Sequence, residues 1–445
     1  MREAHPKERQ MGIEWYVSAT PGTGGRLRAN IADFHVRERE GFTVDIQPVT
    51  ADSGSYPHLV FRATLHGWDT NDFASALANA LGISRERVSW AGTKDKRGIT
   101  TQLFSVRLTE EINYLPEISD TSIEVLGRAG RPVLFGDLVG NEFAITISDP
   151  DHGENATQIA TDLREFGTGL DSPASTDPIG VPNYFGHQRF GSMRPITHRV
   201  GLDIVRKEWE SAAVRYITES SEDEPVETRR ARETLAETRE WEKADDLFPH
   251  GLRYERAIAG RLAESDSTAD DYRAALEVLP TNLQQLLVNA AQSYIFNRIV
   301  SERLDRNLPF RHPILGDVVC FPDDDGVPDP SRTQTVESEN LDIIRRHCDN
   351  KRAFVTAPLV GANTTIEDHE PGEIVHSILG ELDITPEHFD LPGAFGSTGT
   401  RRAILVTTQL SLAFDPLTMS FSLPKGCYAT VVAREFLKVH PSLLG

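Results

Sequence analysis

Residues 89–102 read SWAGTKDKRGITTQ, which sets one carboxylate, Asp95, between Lys94 and Lys96, with Arg97 next and glycines at 92 and 98. The whole chain holds 8 lysines against 38 arginines, so two lysines flanking one aspartate are conspicuous. On either side the pattern predicts strand, over 88–91 and again over 99–106, where Thr101, Leu103 and Ser105 share a phase. A glycine-bounded loop between two strands lifts a side chain clear of the sheet while the sheet fixes its base. Neighbouring cations favour the ionised form of such a carboxyl. Two readings follow from the residues: a nucleophilic carboxylate in a pocket built for something anionic, or a polar hairpin with a solvated ion pair.

Working outward, 445 residues are enough for two or three domains, and 39% hydrophobic with 25% charged residues describes a soluble globular chain. No run of 18 apolar residues and no signal-peptide pattern is present, so neither a membrane span nor secretion is expected. Cys320, Cys348 and Cys427 lie far apart and form no CxxC, which argues against a disulfide framework or zinc site and for a reducing cytoplasm. The net charge of −21 runs against the basic face that RNA binding normally uses. Acidic excess with scarce lysine suits molar salt, however, where a Debye length of about 3 Å leaves distant carboxylates unable to repel a phosphate backbone. The composition reads as a halophile's adaptation; an acidic protein with a basic protein partner is the alternative.

Taken in order, residues 12–20 alternate as a strand. The following PGTGGRLRANIADFHVRE, from Pro21, has glycines at 22, 24 and 25, but a dinucleotide loop fails at Leu27. Residues 58–65 predict a strand. Thr70 or Asn71 then caps a helix with Phe73, Ala76, Leu77, Ala80 and Leu81 at helical spacing, closed by Gly82. Residues 134–148 are strand-like and contain GNEF, and a helix from Asn155 to Gly167 follows. GVPNYFGHQRFGS, residues 180–192, gathers Tyr184, Phe185, Phe190, Gln188 and Arg189. Aromatic faces and arginine planes are what stacking on unpaired bases requires; a buried aromatic turn between domains would look the same. Residues 218–246 read as a solvated loop and helix face, and 281–305 as a long helix. FPDDDGVPDPSR fails as a calcium loop, since Gly326 at its sixth position puts Phe321 first and Arg332 twelfth; an acidic surface loop is expected. The chain closes with a strand over 417–423, a turn at 424–426 and a helix over 428–439.

AGTKDKRGITTQ closely resembles the signature loop G-x-K-D-x-x-A-x-T-x-Q of the D-type (TruD) tRNA pseudouridine synthases, with Gly98 in place of the usual Ala. RLRANIADF resembles that family's N-terminal motif, in which a basic residue, here Arg28, precedes the strand. GNEF resembles its N-x-F motif, residues 180–192 its mid-chain block, and LPKGCYATVVARE its C-terminal motif, so five motifs run in family order from 21 to 435. The resemblance implies an α+β fold: a mixed, mostly antiparallel catalytic sheet with helices, interrupted by an α/β insertion domain. The implied bounds are 1–179 and 403–445 for the catalytic domain and 180–402 for the insertion. It implies Asp95 as the catalytic nucleophile paired with Arg28, Phe143 against the target uracil, and Asn141 touching base or sugar. Lys94, Lys96 and Arg97 become candidates for phosphate contacts, and Gln102, Tyr184, Phe185, Gln188 and Arg189 join the substrate-binding set. The implied reaction converts uridine to pseudouridine in tRNA, at position 13 of the D arm, with no cofactor, no metal, no membrane and no protein partner. The rivals are a non-catalytic tRNA-binding or chaperone module on the same fold, and a hydrolase using a carboxylate pair. Arg434 is expected to be structural.

Overall fold

Alternating segments build an eight-stranded sheet from β1 (Phe34–Glu40), β2 (His58–His66), β3 (Val88–Trp90), β4 (Ile99–Arg107), β5 (Thr121–Ala129), β6 (Leu138–Thr146), β7 (Leu410–Phe414) and β8 (Leu417–Pro424). The computed structural model describes residues 1–94, 96–108, 114–191 and 193–445; Asp95, and Ser192 at the end of the mid-chain block, lie outside the described residues. The order across the sheet is β7-β8-β6-β1-β4-β2-β5, with β3 also paired to β4. Among the described residues only β1 and β4 run parallel; the other pairings in this sheet are antiparallel. This is the mixed, mostly antiparallel α+β arrangement expected, and residues 410–424 supply two of its strands. In β1 the alternation turns Phe34, Val36 and Glu38 inward and His35, Arg37 and Arg39 outward.

Helix α1 (Thr70–Ala80) covers one half of the inward face. Its cap is Asp69 rather than Thr70 or Asn71, because the Asp69 carboxylate accepts from the Asn71 and Asp72 amides. Phe73, Ala74 and Leu77 bury against Phe61, Ala63, Leu65 and Phe104, each large side chain contributing about 1.5–3 kcal/mol. Helix α2 (Asn155–Thr168) ends on Gly169 in the left-handed conformation, not at Gly167. Gly167 sits inside the helix because a Cβ there would lie 2.4 Å from the Gly180 nitrogen. Helix α3 (Ala429–Leu437) carries a buried Arg434–Glu435 ion pair at 2.6 Å. The Glu435 carboxylate also accepts from the Val17 amide at 2.9 Å, tying the start of this unit to its end.

These elements belong to one compact unit, residues 17–181 and 406–445; residues 1–16 and 182–405 form the other. The first 16 residues thus group with the second unit, not with the stretch up to 179. Their backbone is gripped there: Asn297 donates to the Met11 carbonyl at 3.0 Å and Ser301 to the Gly12 carbonyl at 2.8 Å. For the same reason the strand expected over 12–20 shrinks to Trp15–Tyr16, paired with Arg2–Glu3. Asn297 and Ser301 sit on a helix, Thr281–Asp305, with the bounds its periodicity predicts. A four-stranded antiparallel sheet accompanies it, made of Val318–Pro322, Pro328–Thr335, Phe354–Leu359 and Thr400–Ala403. The acidic segment expected as a surface loop is the hairpin between the first two, its turn closed by the Val327 amide on the Asp323 carboxylate at 2.9 Å. The charged stretch 218–246 is not only solvated surface, since Arg232 is buried and donates to Glu224 and Glu255 at 3.0 Å each. Among the described residues no helix is long and apolar enough to cross a membrane.

Candidate active site

The loop that carries Asp95 is held by its stem. The buried Gln102 side chain, on β4, donates to the Gly92 carbonyl at 2.6 Å, while its oxygen accepts from Thr70 and Thr100 hydroxyls at 3.1 and 3.3 Å. Thr70, at the start of α1, accepts from the Lys94 amide at 2.8 Å. The Lys94 ammonium reaches Glu38 on β1 at 2.8 Å, with side-chain exposures of 9% and 0%. Desolvation pushes the Glu38 carboxyl above its usual range, with Lys94 and the Leu103 amide pulling against it. On the far side, Gly98 abuts β1: a Cβ there would stand 2.6 Å from the Phe34 carbonyl. Glycine in place of the family's alanine is therefore a fit to close backbone approach. The residues on either side of Asp95 are thus clamped, with Lys96 and Arg97 exposed.

The inward face beside this stem is aromatic. Phe143 on β6 lies opposite Val36 on one side and Phe421 on the other. Its ring meets Phe34 edge-on at 6.3 Å and Phe421 at 5.4 Å, and Phe143 itself stays partly exposed. The Arg28 guanidinium lies over the Phe34 ring at 4.0 Å. Arg28 adopts φ 56°, a conformation that costs a non-glycine residue about 1–3 kcal/mol and persists only where surrounding structure imposes it. The imposing contacts are the Leu27 amide on the Leu443 carbonyl at 2.8 Å and reciprocal Arg26–Ser148 backbone bonds at 3.0 Å. Asn141, two residues before Phe143 and opposite Glu38, has a buried side-chain oxygen with no donor among the described residues. Leaving such an acceptor unpaired costs about 1–3 kcal/mol. The opposite, polar face carries its own groove of about 560 Å³, lined by His35, Arg37, Thr101, Glu142 and Ser420. Among the described residues no group of three or more His, Cys, Asp or Glu side chains is placed to hold a metal ion.

Of the residues expected at the site, Arg28, Asn141, Phe143, Lys94, Lys96, Arg97 and Gln102 converge on this unit. Two change role. Lys94 is committed to Glu38 and nearly buried, so it is no phosphate contact, and Gln102 holds the loop rather than a ligand. The 184–189 group belongs to the other unit and packs on the helix Thr281–Asp305. Tyr184 is fully buried with its hydroxyl 3.1 Å from Ser301, and Phe185 meets Phe296 edge-on at 5.5 Å. Those two rings are core, not stacking platforms. Arg189 donates to Ser293 at 3.2 Å, and Gln188 is half-buried beside it. The functional residue missed is Glu38. Its signal was an acidic residue at the inward phase of FHVRERE, a position that has to be paired.

A family model described as tRNA pseudouridine synthase D (TruD) matches residues 10–436. A chain of Natronomonas pharaonis, named "Probable tRNA pseudouridine synthase D", is 62% identical over 444 residues, covering 100% of both chains. A Halobacterium salinarum chain of the same name is 54% identical over 449 residues, again with 100% coverage of both. The crystal structure of a Methanosarcina mazei chain titled "Putative tRNA pseudouridine synthase D (TruD)" superposes with a TM-score of 0.85 at 36% identity, covering 98% of each chain.

Proposed function

Because the chain belongs to the TruD family of tRNA pseudouridine synthases, we propose that it converts uridine to pseudouridine in tRNA, at position 13 of the D arm, with Asp95 as the nucleophile. In this reading residues 17–181 and 406–445 form the catalytic domain, and the other unit contains the family's insertion. The reaction breaks the N-glycosidic bond, turns the base and joins its C5 to the ribose. It needs an ionised carboxylate, a cation to aim it, and a flat apolar wall for an extruded base. The observation that carries the proposal is the partly exposed Phe143 between Phe34 and Phe421, with Arg28 over Phe34 and, beside it, an Asn141 oxygen that has no donor among the described residues. A uracil against Phe143 would offer its ring N–H to Asn141. Arg28 would keep Asp95 charged, and Lys96 with Arg97 would meet phosphates. The chain would work in the cytoplasm of a cell at molar salt, consistent with its −21 charge.

The test is carbodiimide mapping of pseudouridine in an unmodified tRNA transcript incubated with the protein in molar potassium chloride. One new stop at position 13 is expected. Stops only at other uridines would overturn the site choice, and tRNA binding without any stop would favour the non-catalytic module. Phe143→Ala should lower kcat/KM about 5- to 150-fold, the worth of one base–aromatic stack of about 1–3 kcal/mol, with a smaller effect on thermal melting. A variant that is grossly unfolded would make Phe143 a core residue instead.

A further inference from the structure

Between β5 and β6, residues 131–137 form a heavily braced turn with an exposed apolar tip. Arg131 grips the Asp137 carboxylate with two bonds, at 2.6 and 3.3 Å, and the same carboxylate accepts from the Leu134 amide at 2.8 Å. The Asp137 amide closes the turn on the Leu134 carbonyl at 3.0 Å, and the Asp137 carbonyl accepts from the Gly41 amide at 3.0 Å. The Val133 amide donates to Ser105 at 2.8 Å. Gly136 takes φ 100° and donates to the Ala91 carbonyl at 2.7 Å, one residue before the loop of Asp95 begins. The tip held so firmly presents Leu134 at 52% and Phe135 at 78% exposure. Nothing in the fold is gained from Phe135, whose burial would contribute about 1.5–3 kcal/mol.

The surroundings point to one class of occupant. Lys425, exposed and close enough to act on Asp137, follows β8, and its amide bonds the Val139 carbonyl at 3.1 Å. Lys96 and Arg97 are exposed on the loop that the turn braces. Lys96, Arg97 and Lys425 thus belong to segments joined to this turn, and all three are exposed in a protein of net charge −21. Two apolar side chains are too small a patch for a protein interface of about 800 Å² per partner. A flat ring among cations instead suits an unpaired nucleobase, with cations on its phosphates. We propose that Phe135 stacks on an unpaired tRNA base neighbouring the extruded uridine and holds the RNA open beside Asp95. The proposal rests on residues 91–98 being the reactive loop.

Phe135→Ala and Phe135→Trp in the full chain, assayed in molar potassium chloride with tRNA transcript, test it. The alanine variant should keep its melting temperature and lose 5- to 150-fold in kcat/KM, and tryptophan should restore the loss. In an Asp95→Asn background, where no product forms, a 2-aminopurine placed next to the target uridine should be quenched on binding, and Phe135→Ala should abolish the quench. Alanine turnover within two-fold of wild type, tryptophan as impaired as alanine, or a melting temperature lowered along with activity would each overturn the proposal. Turnover surviving Asp95→Asn itself would instead remove the reading of the reactive loop. The two failures are therefore distinguishable.

Discussion

Asp95→Asn is expected to abolish pseudouridine formation, by about 10⁴-fold or more, while tRNA affinity stays within a few-fold of wild type. The amide matches the carboxylate in shape but has neither its charge nor its nucleophilicity. Other residues brace the stem: Glu38 on Lys94, Thr70 on the Lys94 amide, and Gln102 on the Gly92 carbonyl. The loop should therefore keep its form, and the loss should fall on the chemical step, worth about 5.5 kcal/mol or more. Single-turnover assays on transcribed tRNA, with filter binding alongside, read both quantities. Turnover that persists at even a tenth of wild type would take Asp95 out of the role assigned to it.

Glu38→Gln should be the most disruptive change outside the reacting groups. It leaves the Lys94 ammonium nearly buried opposite a neutral amide, so turnover should fall because the tether that places the residue before Asp95 is lost. Adding Lys94→Met removes the orphaned charge, but turnover should not return with it, because the tether is still missing. A double variant with restored turnover would make the pair purely structural. The pH behaviour separates these effects further. Burial raises the native Glu38 carboxyl above its unfolded value, so the native state binds that proton more tightly. Its titration therefore adds stability as the pH falls through the native value, and that contribution is lost as the pH rises. Activity should move the other way, since a neutral Glu38 no longer holds Lys94. Wild-type turnover should decline on acidification with no loss of stability from Glu38, and Glu38→Gln should lack that limb.

Local patterns were readable where one segment carries its own periodicity. The helix Thr281–Asp305 and strands β2, β4 and β8 have spacings that few other structures satisfy. The five motifs also identified the loop, the aromatic strand and their order. Less readable was what a polar side chain does once the chain is closed. Lys94 and Lys96 are equivalent in sequence, yet one points to an inward carboxylate 56 positions earlier and the other to solvent. Tyr184 and Phe185 have the composition of a stacking platform, but a hydroxyl and a ring on a helix more than a hundred residues away make them core.

By itself, then, the sequence determined the family, the class of fold and the loop at which the chemistry is proposed, because those rest on short-range spacing and on residue types that recur together. Tertiary structure alone decided that Glu38 tethers Lys94, that Gln102 braces a carbonyl, that the Asn141 oxygen has no donor among the described residues, and that Phe135 stands out on a rigid turn. The reason is physical. Whether a charge is a ligand for something else or a partner already spent depends on burial and on what approaches from distant strands, and neither is a property of the residue's neighbours along the chain.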